Sequence, residues 1–197
     1  MGSTAIRDDK VYTYADYLSW PEDEHWEIID GVAYAQAQPS TDHQRILGNL
    51  YLEFGNYLRG KPCEAFVAPF GVTFKDVKDD QNTTVVEPDL TVICEKTKIT
   101  KRGCSGAPDL IIEILSPSTA SHDVIRKRKL YETNGVVEYW IVDPSNQIVT
   151  RLYLNEELSE YSKPDYYSKE RMNIITPIIF PELQIDLNNI FPELIEE

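Results

Sequence analysis

Glu113 stands inside Leu110-Ile111-Ile112-Glu113-Ile114-Leu115, a run in which every neighbour is apolar. An ionised carboxylate in such company is costly to remove from water, so it neutralises or acquires a positive partner. A divalent cation, or a lysine or arginine from the next element, meets that need, and the two are compatible. A second acid comes from one of two copies of Pro-Asp-Leu, at Pro88-Asp89-Leu90 and Pro108-Asp109-Leu110. Asp109 precedes Glu113 by four residues, which in a strand is roughly 13 Å, too far to meet at one ion. Pro108 and the isoleucines argue for a strand there rather than a helix. Asp89 lies on the preceding extended segment; neighbouring strands run ~4.8 Å apart, so side chains at paired positions converge. Asp89 and Glu113 are therefore the candidate ion-binding pair, and Asp109 is a strand-opening residue. Oxygen donors without a His or Cys cluster suit Mg2+ or Mn2+ rather than zinc. The other reading is a structural ion pair without chemistry.

The next helix supplies the cation. Asp123, Lys127 and Tyr131 fall at i, i+4 and i+8, one stripe that can face Glu113. Arg126, Arg128 and Lys129 are expected on a solvated face, with Val124, Ile125 and Leu130 packing. This helix runs from about Ser121 or His122 to Asn134 and is stopped by Gly135. Beyond the Glu113 strand, the hydroxyls of Ser116, Ser118 and Thr119 could touch a phosphate or cap this helix.

The elements that must hold these residues are legible from pattern. Thr13 with Asp16 makes a capping box for a short helix ending before Pro21. "HWEIIDGVAYAQ" alternates around Asp30-Gly31, a hairpin signal. Ile46, Leu47, Leu50, Phe54 and Leu58 recur at helical spacing from a Ser40 or Thr41 cap to Gly60, giving an amphipathic helix over residues 42–59. Extended segments follow at 65–75, 84–94 and 109–115, with polar loops between them. "VEYWIVDP" is a strand, and residues 148–154 return beside it after Pro144-Ser145-Asn146. The expected fold class is mixed α/β or α+β, a central mixed β-sheet flanked by helices. The 197 residues make one domain, with a core over about 14–154 and a Pro-broken C-terminal extension over 162–197.

A formal charge of −14 argues against wrapping DNA over a broad surface, because such binding draws its free energy from lysines and arginines that release counterions. Any nucleic-acid contact must be local. Cys63, Cys94 and Cys104 form an odd set without a CxxC pair, which supports neither disulfides nor a zinc knuckle and suits a reducing cytoplasm. No stretch approaches the ~18 to 20 apolar residues of a membrane span.

Taken together, "WEIIDG", "STDHQRILGNL", "EPDLTV", "APDLIIEILSPST", "DVIRKRKLY" and "GVVEYWIVDP" resemble the restriction-endonuclease-like nucleases of the PD-(D/E)XK type, and within them the Uma-type restriction endonuclease branch. The resemblance covers roughly residues 14–143. It implies a restriction-endonuclease-like sheet with a metal-dependent phosphodiesterase site at one end. In that scheme Asp89, Glu113 and the Ile114 carbonyl bind the metal, and a lysine orients or activates water. The motif lysine is missing at Leu115; branches that move it to the next helix make Lys127 its counterpart. Glu27 matches an additional acid, and His43 a polar contact from the first long helix. A DNA endonuclease using Mg2+ or Mn2+ is the implied activity, with DNA as partner and a homodimer as the expected assembly. Retention of Asp89, Glu113 and Lys127 favours it; the acidic charge favours a non-catalytic nucleic-acid or protein binding module on the same fold. Hydrolysis of small phosphorylated substrates is a third possibility.

Overall fold

The computed structural model describes residues 4–5, 9–21, 23–75, 79–116, 122–155 and 157–193. Its framework is a sheet built from β3 (Glu64–Val67), β4 (Leu90–Ile93), β5 (Leu110–Ile114), β6 (Glu138–Asp143), β7 (Ile148–Asn155) and β8 (Glu160–Tyr161). These strands lie side by side in the order β8-β7-β6-β5-β4-β3, and β9 (Asp165–Ser168) also pairs with β7. The β5–β6 pair is parallel and the others are antiparallel, so the sheet is mixed. Burying β5 and β6 on both faces explains why they read as continuous apolar runs.

Alternation along the strands divides the core. Leu110, Ile112, Ile114, Trp140 and Val142 share one side with α2 (Thr41–Leu58), whose Ile46, Leu47, Leu50, Phe54 and Leu58 lie against them. The same cluster takes in Ile175, Phe180, Leu183, Ile185 and Phe191, so the C-terminal extension is core rather than appendage. At the rates for full burial, ~1.5–3 kcal/mol per large apolar side chain, these residues hold the tail down. Glu138, fully buried on this side, accepts from Trp140 Nε1 at 2.8 Å and from the Ile178 amide at 2.8 Å, pinning the extension to β6. Ile111, Tyr139 and Ile141 face the opposite side, toward Tyr131 of α3 (His122–Thr133). Glu113 has the parity of this second side.

The short helix α1 (Tyr14–Ser19) carries the expected Thr13–Asp16 capping box. β1 (Trp26–Ile29) and β2 (Val32–Ala35) form the expected hairpin. Asp30 and Gly31 both have positive φ, 50° and 81°, which is what a two-residue turn of this hand demands and why Asp-Gly occupies it.

Three expectations need correction. The segment 65–75 is not one strand: β3 ends at Val67, and after Pro69 the chain turns so that Val72–Thr73 pairs with Gly103–Ser105. The loop over 95–107 carries a small hairpin, Ile99–Thr100 against Gly103–Ser105, too short to show a strand pattern. The cysteines are the third. Continuing the β3–β4 register one residue sets Cys63 across from Cys94, and the two are joined in a disulfide. Cys104 alone is free, and buried. The inference of a reducing compartment therefore loses its support from the cysteines. No helix among the described residues is long and apolar enough to cross a membrane.

Candidate active site

Two neighbouring strand ends bring the candidate acids together. The β4–β5 register pairs Leu90 with Ile112, so its continuation by one residue sets Asp89 across from Glu113. Asp89 Oδ2 accepts the Ile114 amide at 2.7 Å, which locks that register. Its other oxygen, Oδ1, meets His43 Nε2 at 3.1 Å, the histidine entering from the first turn of α2. Burial opposes the charged imidazole, but Asp89, Glu113 and the Ile114 carbonyl outweigh it and raise the His43 pKa.

Glu113 is met from α3. Lys127 Nζ lies 2.9 Å from Glu113 Oε1 and 2.8 Å from Glu27 Oε1, while the Tyr131 hydroxyl donates to Glu113 Oε1 at 2.6 Å. One turn of helix thus delivers an ammonium and a phenol to the same carboxylate oxygen. The second oxygen, Oε2, takes none of these bonds. Glu27, on β1, is 2% exposed and also accepts the Glu87 amide at 2.8 Å, tying the hairpin to the approach to β4. The buried stripe of α3 is Lys127 and Tyr131, with Val124 and Leu130 packed beside it. Ile125, expected to pack, is 69% exposed: the helix is rotated to spend its inner face on the acids. Arg126 lies over the Tyr34 ring, and Lys129 pairs with Glu132. The side chain of Asp123, together with Ser118 and Thr119, lies outside the described residues.

Asp89, Glu113, Ile114, Lys127, Glu27 and His43 all line one cleft of about 1000 Å3; Tyr131 sits behind Glu113. A residue that pattern reading left without a role, Glu87, lines it too. Glu87 accepts the Tyr17 hydroxyl of α1 and has His25 Nδ1 at 3.7 Å. Burial, against the opposing Tyr17 bond, raises its pKa. Only its place two residues before Asp89 in "EPDL" hinted at it. Asp109 stands apart, its carboxylate accepting the Cys94 amide at 2.7 Å at the far end of the same strand pair.

Six carboxylates, Asp23, Glu24, Glu27, Glu87, Asp89 and Glu113, line this cleft against one lysine and two histidines, so it carries surplus negative charge. Burial raises the Glu113 pKa to about 7, with Asp89 and Glu27 pushing the same way and Lys127 and the Tyr131 bond opposing. Such a set is suited to a hard divalent cation. Among the described residues no three His, Cys, Asp or Glu side chains converge as a ready ligand cage. Two carboxylates and a carbonyl, completed by water and substrate oxygens, is how Mg2+ is commonly held.

The sign of the pH dependence follows. In the metal-free protein the folded state keeps the Glu113 proton to about 7, whereas the unfolded chain releases it near the ordinary 4.5. The folded state thus binds more protons between those values, and this group's contribution is full below about 4.5 and lost as pH rises through about 7. Urea denaturation in chelator should show the stability difference between wild type and Glu113→Gln falling over that interval, by on the order of 3 kcal/mol. A flat difference would mean that Lys127 holds Glu113 ionised throughout.

The chain's similarities bear on this geometry. The family Uma2, described as "Putative restriction endonuclease", matches residues 14–188. The chain belongs to the Uma2 family. Two proteins of Synechocystis sp. are relatives: the uncharacterized protein slr1290, 28% identical over 161 residues covering 81% of this chain and 82% of that protein, and the uncharacterized protein sll1609, 30% identical over 139 residues covering 68% and 76%. A crystal structure of a "putative nuclease belonging to DUF820" from Anabaena variabilis superposes with a TM-score of 0.72 at 21% identity, covering 91% of this chain and 97% of that one. The Uma2 fold here is the restriction-endonuclease-like mixed sheet expected from the motifs, and membership in the family supports a nuclease function.

Proposed function

We propose that the protein is a Mg2+- or Mn2+-dependent endonuclease hydrolysing DNA phosphodiester bonds. The observation that carries the reading is the convergence of Asp89, Glu113 and Lys127 at adjoining strand ends in one cleft. Asp89, Glu113 through Oε2, and the Ile114 carbonyl would hold the metal, which when bound neutralises charge on phosphoryl oxygens and lowers the pKa of water. The chain's own groups divide the remaining work. Lys127, held by Glu27 and Glu113, keeps an ammonium beside the acids, where it can orient the attacking water and offset charge developing on the phosphate. Burial opposes that charge, but Glu113 and Glu27 outweigh it and raise the Lys127 pKa, so the lysine stays a cation and serves as a charge rather than a base. Tyr131 fixes Glu113 Oε1 and leaves Oε2 for the cleft.

The test is conversion of supercoiled plasmid with Mg2+ or Mn2+, beside Glu113→Ala. Wild type should nick the plasmid only with added metal, and the variant should lose at least about a hundredfold in rate. Equal cleavage by the variant, or cleavage in chelator, would overturn the assignment.

A further inference from the structure

The segment between β4 and β5 concentrates cations, and its tip at Lys101 and Arg102 adjoins the mouth of the cleft. Lys96, Lys98, Lys101 and Arg102 fall within seven residues on the short turn and hairpin between β4 and β5. Lys98 is occupied by the Ala107 carbonyl and Glu95. Lys96, Lys101 and Arg102 are exposed and in no ion pair among the described residues. Most of the run at 126–129 is spent differently: Lys127 is committed to the acids, Lys129 to Glu132, and Arg126 lies on Tyr34, while Arg128 is exposed on α3.

The hairpin is firmly seated. The Cys104 amide donates to the Gly71 carbonyl at 2.8 Å, and Gly106 N to Thr73 O at 2.7 Å. At Gly103, with φ +118°, a Cβ would stand 2.1 Å from the Gly71 carbonyl oxygen, so only glycine permits this approach. Its tip is also next to the site. Pro69 and Glu87 line both the cleft and a shallow depression of about 300 Å3 whose far wall is Thr100 to Gly103.

We infer that the tip of this hairpin, through Lys101 and Arg102, grips the phosphate backbone of duplex DNA beside the bond in the cleft. The inference rests on the nuclease reading and adds the surface that reading lacks. A chain of charge −14 repels a polyanion everywhere except where cations are local and unpaired, and here two such side chains ride on a rigid arm at the cleft's edge. Contacts of this kind position the duplex without reading its sequence.

The experiment compares the full-length protein with Lys101→Ala/Arg102→Ala, by fluorescence anisotropy of a short labelled duplex in Mg2+ over a salt series. The variant should bind roughly tenfold more weakly at low salt, and its slope of log affinity against log salt should be shallower by about two units. Thermal melting should be unchanged, because both side chains are exposed. An unchanged slope and affinity would overturn the inference, as would failure of the wild type to bind duplex. Sedimentation covers a second copy of this acidic chain as occupant: a dimer lost in the variant, with DNA binding intact, would assign the hairpin to self-association. Salt-dependent binding through the hairpin without any cleavage would keep the inference and sink the nuclease reading. Cleavage with an unchanged slope would do the reverse.

Discussion

Replacing Lys127 by alanine is expected to cost about 3–5 kcal/mol of stability at pH 8, the range found when one partner of a buried ion pair is removed. The side chains left behind, Glu27 at 3% and Glu113 at 12% exposure, have no other cation within bonding distance among the described residues. Neither can reach water fully without opening the contact between α3 and the hairpin. The loss should shrink at pH 5, because an unpaired buried carboxyl takes up a proton rather than remain charged. Glu27→Gln/Lys127→Met should recover part of it, since charge and counter-charge leave together and the two substitutions share a partner. Urea denaturation of the three variants at both pH values reads these differences. A loss below about 1 kcal/mol at pH 8 would place Lys127 among solvated surface pairs instead. In the plasmid assay, Lys127→Ala should also lose about 10²–10³-fold in rate, and the pH 5 to pH 8 comparison tells misfolding from missing charge.

Much of this arrangement was legible because it follows from period alone. Glu113 interrupts an apolar run, its parity sends it to the α3 side, and the spacing of Lys127 and Tyr131 brings both to it. The register partner of Glu113 was equally available, since Asp89 opens the preceding strand. What escaped depends on contacts distant along the chain. Cys63 and Cys94 are 31 residues apart and meet only because β3 and β4 pair at one register, which composition cannot reveal. Glu87 is buried by Tyr17, which α1 carries in from seventy residues away. Ile125 points to solvent because the acids outbid it for the inner face of α3, a tertiary override of helical pattern. The hairpin at 99–105 is held by Gly71 and Thr73 rather than by any strand pattern of its own.

The two Pro-Asp-Leu copies supply the sharpest internal control. Asp89 and Asp109 do the same structural job at opposite ends of one antiparallel pair: each precedes its strand and accepts an amide at the end of the facing one, from Ile114, the last residue of β5, and from Cys94, the first past β4, both at 2.7 Å. Alanine at either should leave a backbone donor without its partner, costing about 1–3 kcal/mol in each case. The catalytic consequences should diverge. Across from Asp89 stands Glu113, with Lys127 and His43 at hand; across from Asp109 the register places Ile93, in the apolar core. Asp89→Ala is therefore expected to lose at least about a hundredfold in metal-dependent plasmid cleavage, and Asp109→Ala to retain wild-type rate at temperatures where both remain folded. Asn at position 89 separates the two duties, because its amide oxygen can still accept the Ile114 N–H while the carboxylate charge is gone. Asp89→Asn should thus melt close to wild type yet cleave as poorly as Asp89→Ala. Equal loss in the Asp89 and Asp109 variants would reduce Asp89 to a strand clamp and return Glu113 and Lys127 to a structural ion pair.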